Sequence, residues 1–393
     1  MKNNLFILTL FLLFCSNQFS LKAFQLSPKA QISIITGTPG EDLYAIFGHT
    51  GIRVYDSLYG LDIMYNYGTF DFDEPNFMGK FIQGRLNYAI SKEDYKSFLA
   101  FYASQGRPVY EQILNINTNQ KQAIVDFLEN NYLPKNRFYL YDFFYDNCST
   151  RVRDVLEKTL KEKLLFDTNP SVRKRNFRDF LENYLSEQWL NLGITLILGY
   201  PADKIPTYYQ RMFLPDRLQD ALSNAKIIDD KGQKIPLVLF TADVVKGLRV
   251  KTQTGIFNPY SVFWLLFIVF ASVSYIGFKR NKHSFVLDAN LFGLVGLIGI
   301  FFLGMWFLTD HKAVKYNWNI IWAMPTHFLI VWLFLKKSKP SWLSIYFGIN
   351  TIIIAFILIA WFVFPQKLHH SLIPILLLLG IRSFKLYGFL KKI

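Results

Sequence analysis

Tyr141-Asp142-Phe143-Phe144-Tyr145-Asp146-Asn147-Cys148-Ser149-Thr150-Arg151-Val152-Arg153-Asp154 is the stretch on which the reading of this chain turns. Asp146 and Asn147 are residue types that cap helix N-termini, so a helix begins near Cys148. From there Val152, Val155, Leu156 and Leu160 recur at helical spacing. The thiol therefore falls in the first turn, on the inward face, where unpaired backbone N–H groups favour a thiolate. The aromatic run ahead of it supplies an apolar wall.

A thiolate needs a base. Far upstream lies Tyr44-Ala45-Ile46-Phe47-Gly48-His49-Thr50-Gly51-Ile52-Arg53-Val54-Tyr55. Thr50, Ile52 and Val54 alternate with His49, Gly51 and Arg53, which predicts a strand with His49 near its start. Of the six histidines, only His49 precedes the apolar final third, and the only other cysteine, Cys15, lies in an N-terminal leader. A thiolate–imidazole pair takes one of each, brought together by folding. Each residue also has a plain structural reading, the cysteine as a small buried hydrophobe and the histidine as a satisfied core side chain.

The net charge of +14 invites a nucleic-acid reading, but its distribution argues against one. Residues 24–255 carry 28 Lys and Arg against 27 Asp and Glu, whereas residues 256–393 carry 13 against two, Asp288 and Asp310. The excess flanks apolar segments and reports membrane topology, so no nucleic-acid partner is expected. Without a second cysteine beyond the leader, the exported part has no internal disulfide to form. No metal-ligand set is evident, since one His and one Cys fall short of the usual sites. Gly37-Thr38-Pro39-Gly40 lacks the spacing and the lysine of a phosphate-cradling loop.

Three regions are expected: a secretory signal over residues 1–23, a soluble domain over 24–255 and a membrane domain over 256–393. Within the second, strands are expected at Gln31–Thr36, around His49, at Asp62–Tyr67 and at Val109–Ile116. Helices are expected at Ser91–Ser104, Asn119–Tyr132 and Phe177–Glu187, a loop at Gly199–Pro215, and a β pair at Lys234–Thr252. Arg151 and Arg153 pair with Asp146 and Asp154, or one meets a lipid head group. The cluster Arg173-Lys174-Arg175 with Arg178 reads as a solvated face, or it touches an anionic lipid surface. Five spans are expected at about 259–278, 287–308, 318–335, 342–364 and 369–384, each near the roughly 20 residues a bilayer requires. The basic loops after Phe278 and Leu335 and the basic C-terminal tail then share the cytoplasmic side, leaving the soluble domain outside. The outward loop Thr309-Asp310-His311-Lys312, with Asn317, Trp318 and Asn319, is interfacial, contacts a substrate head group or supports the outward domain. His327, within the third span, is expected to hydrogen-bond a neighbouring helix.

The order of a His49 strand, a strand bearing a polar residue and a Cys148 helix resembles the circularly permuted papain-like folds, among them the NlpC-related and lecithin–retinol acyltransferase groups. Phe47-Gly48-His49-Thr50, Asn66-Tyr67-Gly68-Thr69-Phe70 and Asn147-Cys148-Ser149-Thr150-Arg151 are similar to the periplasmic domain of the Lnb-type bacterial lipoprotein N-acyltransferases. The Thr309-Asp310-His311 loop with Asn317 and Asn319 is similar to that family's membrane part. The resemblance implies an α+β permuted papain-like domain followed by an all-α five-helix transmembrane domain. It further implies transfer of an acyl chain from a phospholipid to the α-amine of a diacylated lipoprotein cysteine, without a cofactor or metal. The protein would be a multi-pass, monomeric resident of the bacterial inner membrane, with its soluble domain in the periplasm.

Carried onto this chain, Cys148 would be the nucleophile, His49 its base and Asn66 the group that orients the imidazole, with Tyr67 and Asp62 as rivals for the third place. Substrate contacts are expected from Tyr67, Arg151, Asp310, His311 and Asn317. A thiolate attacks esters and a thioester acylates amines, so one sulfur can serve both halves of a ping-pong cycle. Two other functions remain open to the residues. One is a membrane-anchored cysteine hydrolase on the same fold, a cell-wall peptide amidase or a lipase; the other is a non-enzymatic membrane scaffold with a sensory outer domain.

Overall fold

The computed structural model describes residues 24–167, 175–185, 188–247, 255–280 and 283–392. The expected leader, Arg173 and Lys174, and the end of the expected β pair beyond residue 247 lie outside the described residues. An N-terminal part of sheets and helices is followed by a helical part rich in apolar residues.

The N-terminal part is built on strands β1 (Gln31–Gly37), β2 (His49–Asp56) and β3 (Leu61–Thr69), then helix α1 (Phe77–Gln83), β4 (Asn87–Asp94), α2 (Tyr95–Ser104), β5 (Val109–Leu114), α3 (Thr118–Tyr132), β6 (Phe138–Leu140) and α4 (Cys148–Leu160). Shorter pieces follow: β7 (Leu164–Leu165), α5 (Phe177–Leu181), α6 (Gln188–Ile197), α7 (Tyr208–Arg211), α8 (Pro215–Asn224), β8 (Lys226–Ile228), β9 (Lys234–Pro236) and β10 (Val238–Val245). Seven strands form one antiparallel sheet in the order β10-β5-β1-β2-β3-β4-β6, and β7, β8 and β9 form a small second one.

Alternation along the strands explains why both faces of the large sheet are covered. Ile32, Ile34, Ile52, Val54 and Tyr65 pack against Ile124 and Leu128 of α3 and Val152, Val155 and Leu156 of α4. Ile35, Met64 and Val109 point the other way, onto Phe98 and Tyr102 of α2. Completely burying one such Ile, Val or Phe contributes about 1.5–3 kcal/mol, so the hydrophobic face of α4 is what holds its first turn against β2 and β3.

Several expectations are corrected. Ser91–Asp94, read as helix, continues β4 and pairs with β3; the Asp94 side chain accepts from the Ser97 amide and starts α2 only at Tyr95. The β pair does not form as such, because β9 joins the small sheet while β10 extends the large one beside β5. The prolines of 199–215 punctuate short helical turns, and Pro215 opens α8, where its missing N–H costs nothing. Arg178 is buried instead of solvated: it pairs with Asp203 at 2.9 Å and donates to the carbonyls of Thr195 and Leu198.

The helical part has α9 (Pro259–Lys279), α10 (Phe285–Leu308), the short α11 (Thr326–Ile330), α12 (Trp342–Ile359) and α13 (Ile373–Leu390). Among the described residues, four apolar helices are long enough to cross a membrane. The expected third span is instead a pair of segments, Lys312–Ile321 and Thr326–Leu335, bent by 45°. Pro325 stands at the break, where it has no N–H to continue a helix. His327 is buried and its Nδ1 meets the Tyr346 hydroxyl at 2.7 Å, a helix–helix contact as expected. Inside the bundle Asp288 accepts from Arg382 Nε at 2.6 Å and meets His283 Nε2 at 2.7 Å, while Arg382 Nη1 donates to Ser274 Oγ at 2.9 Å. This buried cluster ties α9, α10 and α13 together.

Candidate active site

His49 opens β2 and Cys148 opens α4, and the packing of α4 on β2 and β3 brings the two first residues together. Asn147 fixes the start of α4. Its Oδ1 accepts from the amides of Ser149 and Thr150 at 2.9 and 3.0 Å, and its Nδ2 donates to the carbonyls of Phe143 and Phe213. A cap of this kind is worth about 1 kcal/mol. A second tie comes from the neighbours of the two key residues, since Thr50 Oγ1 and Ser149 Oγ lie 3.1 Å apart in the buried seam.

The half-buried Cys148 sulfur lies 4.0 Å from Ser149 Oγ, with the His49 ring and the Thr50 backbone amide close enough to act on its ionisation. Behind the imidazole, His49 Nε2 lies 2.9 Å from Asn66 Oδ1 on β3. Asn66 Nδ2 in turn donates to Glu93 Oε1 on β4 at 2.6 Å. Since a carboxylate accepts, the amide nitrogen faces Glu93 and the amide oxygen faces His49. That oxygen calls for a proton on Nε2 and leaves Nδ1 for the sulfur. Gly51, opposite Asn66 in the ladder, has to be small: a Cβ there would stand 2.3 Å from Met64 Cε, 2.8 Å from the Tyr65 carbonyl and 3.0 Å from Asn66 Oδ1.

The electrostatics run in one direction. Burial alone would raise the thiol pKa, but the hydrogen bond and charge of His49, with the Thr50 amide and Ser149, outweigh it and lower it. Burial alone would lower the imidazole pKa, but Cys148, with Asn66 and Glu93, raises it. Both shifts favour a thiolate beside an imidazolium. Burial also raises the Glu93 carboxyl, opposed by the Asn66 hydrogen bond and by His49.

Other expected site residues sit elsewhere. Asp62 is engaged by Arg53 at 2.7 Å and Tyr67 is buried with its hydroxyl held by Asn131, so neither takes the place of Asn66 behind His49. Arg151 lies over the Tyr139 ring and its Nη2 donates to Asp146 at 2.7 Å; Arg153 likewise pairs with Asp154. The outward loop docks on the N-terminal part. Asp310 pairs with Arg85 at 2.7 Å and its amide donates to the Gln83 carbonyl, while His311 Nε2 lies 3.0 Å from the Phe81 carbonyl. Asn317 is buried, and its Nδ2 donates to the carbonyls of Leu196 and Ile197 at the end of α6. A cavity of about 340 Å³ lined by Asn176, Asp203, Trp361, Phe364, Lys367 and His370 opens along this seam, without Cys148 or His49 in its wall.

Glu93 is the residue that sequence reasoning missed; its only signal was strand alternation in a stretch whose composition favours helix. Among the described residues no three His, Cys, Asp or Glu side chains converge as a metal site.

The chain matches the Lnb N-terminal periplasmic domain over residues 18–178 and the Lnb transmembrane domain over residues 251–393. No curated protein and no solved structure matches it. The chain thus belongs to the Lnb family, with a periplasmic domain joined to a transmembrane domain, and this membership suggests a membrane enzyme of lipoprotein processing.

Proposed function

We propose that the protein is a lipoprotein N-acyltransferase of the bacterial inner membrane. In this reading Cys148 takes an acyl chain from a phospholipid and passes it to the α-amine of a diacylglyceryl-cysteine. The observation that carries it is the relay Cys148–His49–Asn66, half-buried at the start of α4, in a domain docked on a membrane bundle. The order of its three residues along the chain also supports a permuted papain-like descent.

The Cys148 thiolate attacks the ester carbonyl, and the oxyanion is met by the Cys148 backbone amide at the helix start. Ser149 and Thr150 cannot serve there, because Asn147 holds their amides. As the carbon–oxygen bond breaks, the His49 imidazolium protonates the departing lysolipid oxygen, leaving a thioester. In the second half the lipoprotein amine attacks that thioester; His49 takes the amine's proton and the thiolate is released. Asn66 keeps the imidazole in one tautomer throughout.

The full-length protein in lipid nanodiscs, given phospholipid alone, should gain one acyl mass on Cys148, and a diacylated lipopeptide should then remove it as an amide. A Cys148→Ser variant that still N-acylates the lipopeptide would end the proposal. Release of free fatty acid with no amide product would indicate a hydrolase.

A further inference from the structure

We propose that a ladder of aromatic rings leading from Cys148 to the membrane part is the bed for one hydrocarbon chain of the donor lipid; this rests on the acyl-transfer reading above. The ladder starts at the sulfur. The point where a side chain on Gly68 would begin is 3.7 Å from Cys148 Cβ and 3.8 Å from the Tyr141 ring, so cysteine and ring flank one spot. Tyr141 stacks on Tyr88 at 4.6 Å between centroids, and Tyr88 meets Phe70 at 5.3 Å. Phe70 meets Phe77 at 5.8 Å, and Phe77 stacks along α1 on Phe81 at 6.2 Å. The Phe81 carbonyl is the group that His311 holds, three residues beyond the end of α10. The rungs are therefore continuous from the nucleophile to the outer end of a span.

Exposure identifies the occupant as apolar. Helix α1 has the sequence Phe-Met-Gly-Lys-Phe-Ile-Gln and buries none of its residues. Met78 is 62% exposed and the neighbouring Phe72 63%, while Phe307 and Leu308 at the adjoining end of α10 are exposed as well. An uncovered patch of this kind, continuous with a lipid-facing helix end, is the surface an acyl chain can cover without leaving a hydrocarbon environment. A peptide is less well served. The basic groups on this edge are taken, Lys80 by Glu74 at 2.7 Å and Arg85 by Asp310, and ring faces offer a peptide backbone no hydrogen-bond ladder. Each methylene withdrawn from water is worth about fourfold in binding, so the bed would make long chains better donors than short ones.

The test compares two acyl sources on the full-length protein in nanodiscs: a dipalmitoyl phospholipid, and p-nitrophenyl acetate, which is too short to use the bed. Mass spectrometry follows acylation of Cys148 by each. In Phe77→Ala/Phe81→Ala the ratio of long-chain to acetate acylation should fall about fifteenfold, roughly what two methylenes returned to water would cost. Phe81→Asp, at the exposed outer rung, should shift the ratio in the same direction. An unchanged ratio in both variants would overturn the bed, as would equal losses with both donors, which would place the effect at the sulfur. If acylation by phospholipid is intact and only transfer to the lipopeptide falls, the rings hold the acceptor's lipid and the donor assignment is wrong. Should the wild-type sulfur accept acetate but no phospholipid acyl chain, the acyltransferase reading itself fails, and the bed with it.

Discussion

Glu93 decides which way Asn66 faces. The 2.6 Å contact from Asn66 Nδ2 to Glu93 Oε1 commits the amide oxygen to His49 Nε2, 2.9 Å away. Replacing Glu93 by Ala frees the amide to turn over and present its NH₂ to the imidazole. Cys148 acylation should fall about tenfold, in the range of a lost orienting hydrogen bond. Glu93→Gln keeps an acceptor in place and should retain most activity. Equal activity in the Ala and Gln variants would show that the amide needs no such hold.

The opposite shifts of Cys148 and His49 predict a pH signature. A lowered thiol pKa means that alkylation by iodoacetamide persists below the ordinary thiol midpoint of about 8.5. Removing the ring in His49→Ala leaves burial as the dominant influence, so the alkylation midpoint should move up. A midpoint that does not move on this substitution would mean that the imidazole does not stabilise the thiolate.

At Gly51 the prediction is steric. Gly51→Ala places a methyl against Met64, the Tyr65 carbonyl and Asn66 Oδ1. Overpacking of this kind costs about 1–3 kcal/mol, and the strain falls on the residue that orients His49. Melting should shift down and Cys148 acylation should fall further than stability alone explains. Wild-type values for both would contradict the close approach of β2 and β3 at this point.

In the membrane part, the buried Asp288–Arg382 pair predicts an asymmetry between single and double variants. Removing the carboxylate alone, as in Asp288→Leu, leaves the buried Arg382 guanidinium with only neutral partners and should destabilise by about 3–5 kcal/mol. Removing both, Asp288→Leu with Arg382→Met, should recover most of that loss. Thermal unfolding in detergent reads both; additive losses would show that the two charges are not coupled.

The sequence made some of this legible for physical reasons. Alternation around His49 and the cap residues before Cys148 are local signals, and local signals placed the strand and the helix whose first residues meet. Glu93 escaped because Lys-Glu-Asp favours helix locally, whereas pairing of Met64 with Glu93 and Ile63 with Asp94 makes it strand. Asp310, His311 and Asn317 stood out as polar groups at a span's edge. What they hold, the carbonyls of Gln83, Phe81 and Leu196, lies more than a hundred residues away and leaves no local trace. The bend in the third span was hidden because hydropathy averages over the window in which Pro325 sits.

The outward loop grips the sheet domain at two separated points, through Asp310 and His311 on α1 and through Asn317 on α6. Two anchorages resist swivel in a way that one cannot, so the domain is not a bead on a string. Exchanging the bundle for a plain single-helix tether would preserve attachment but lose aim, and the sulfur would no longer keep a set angle to the helices beneath it.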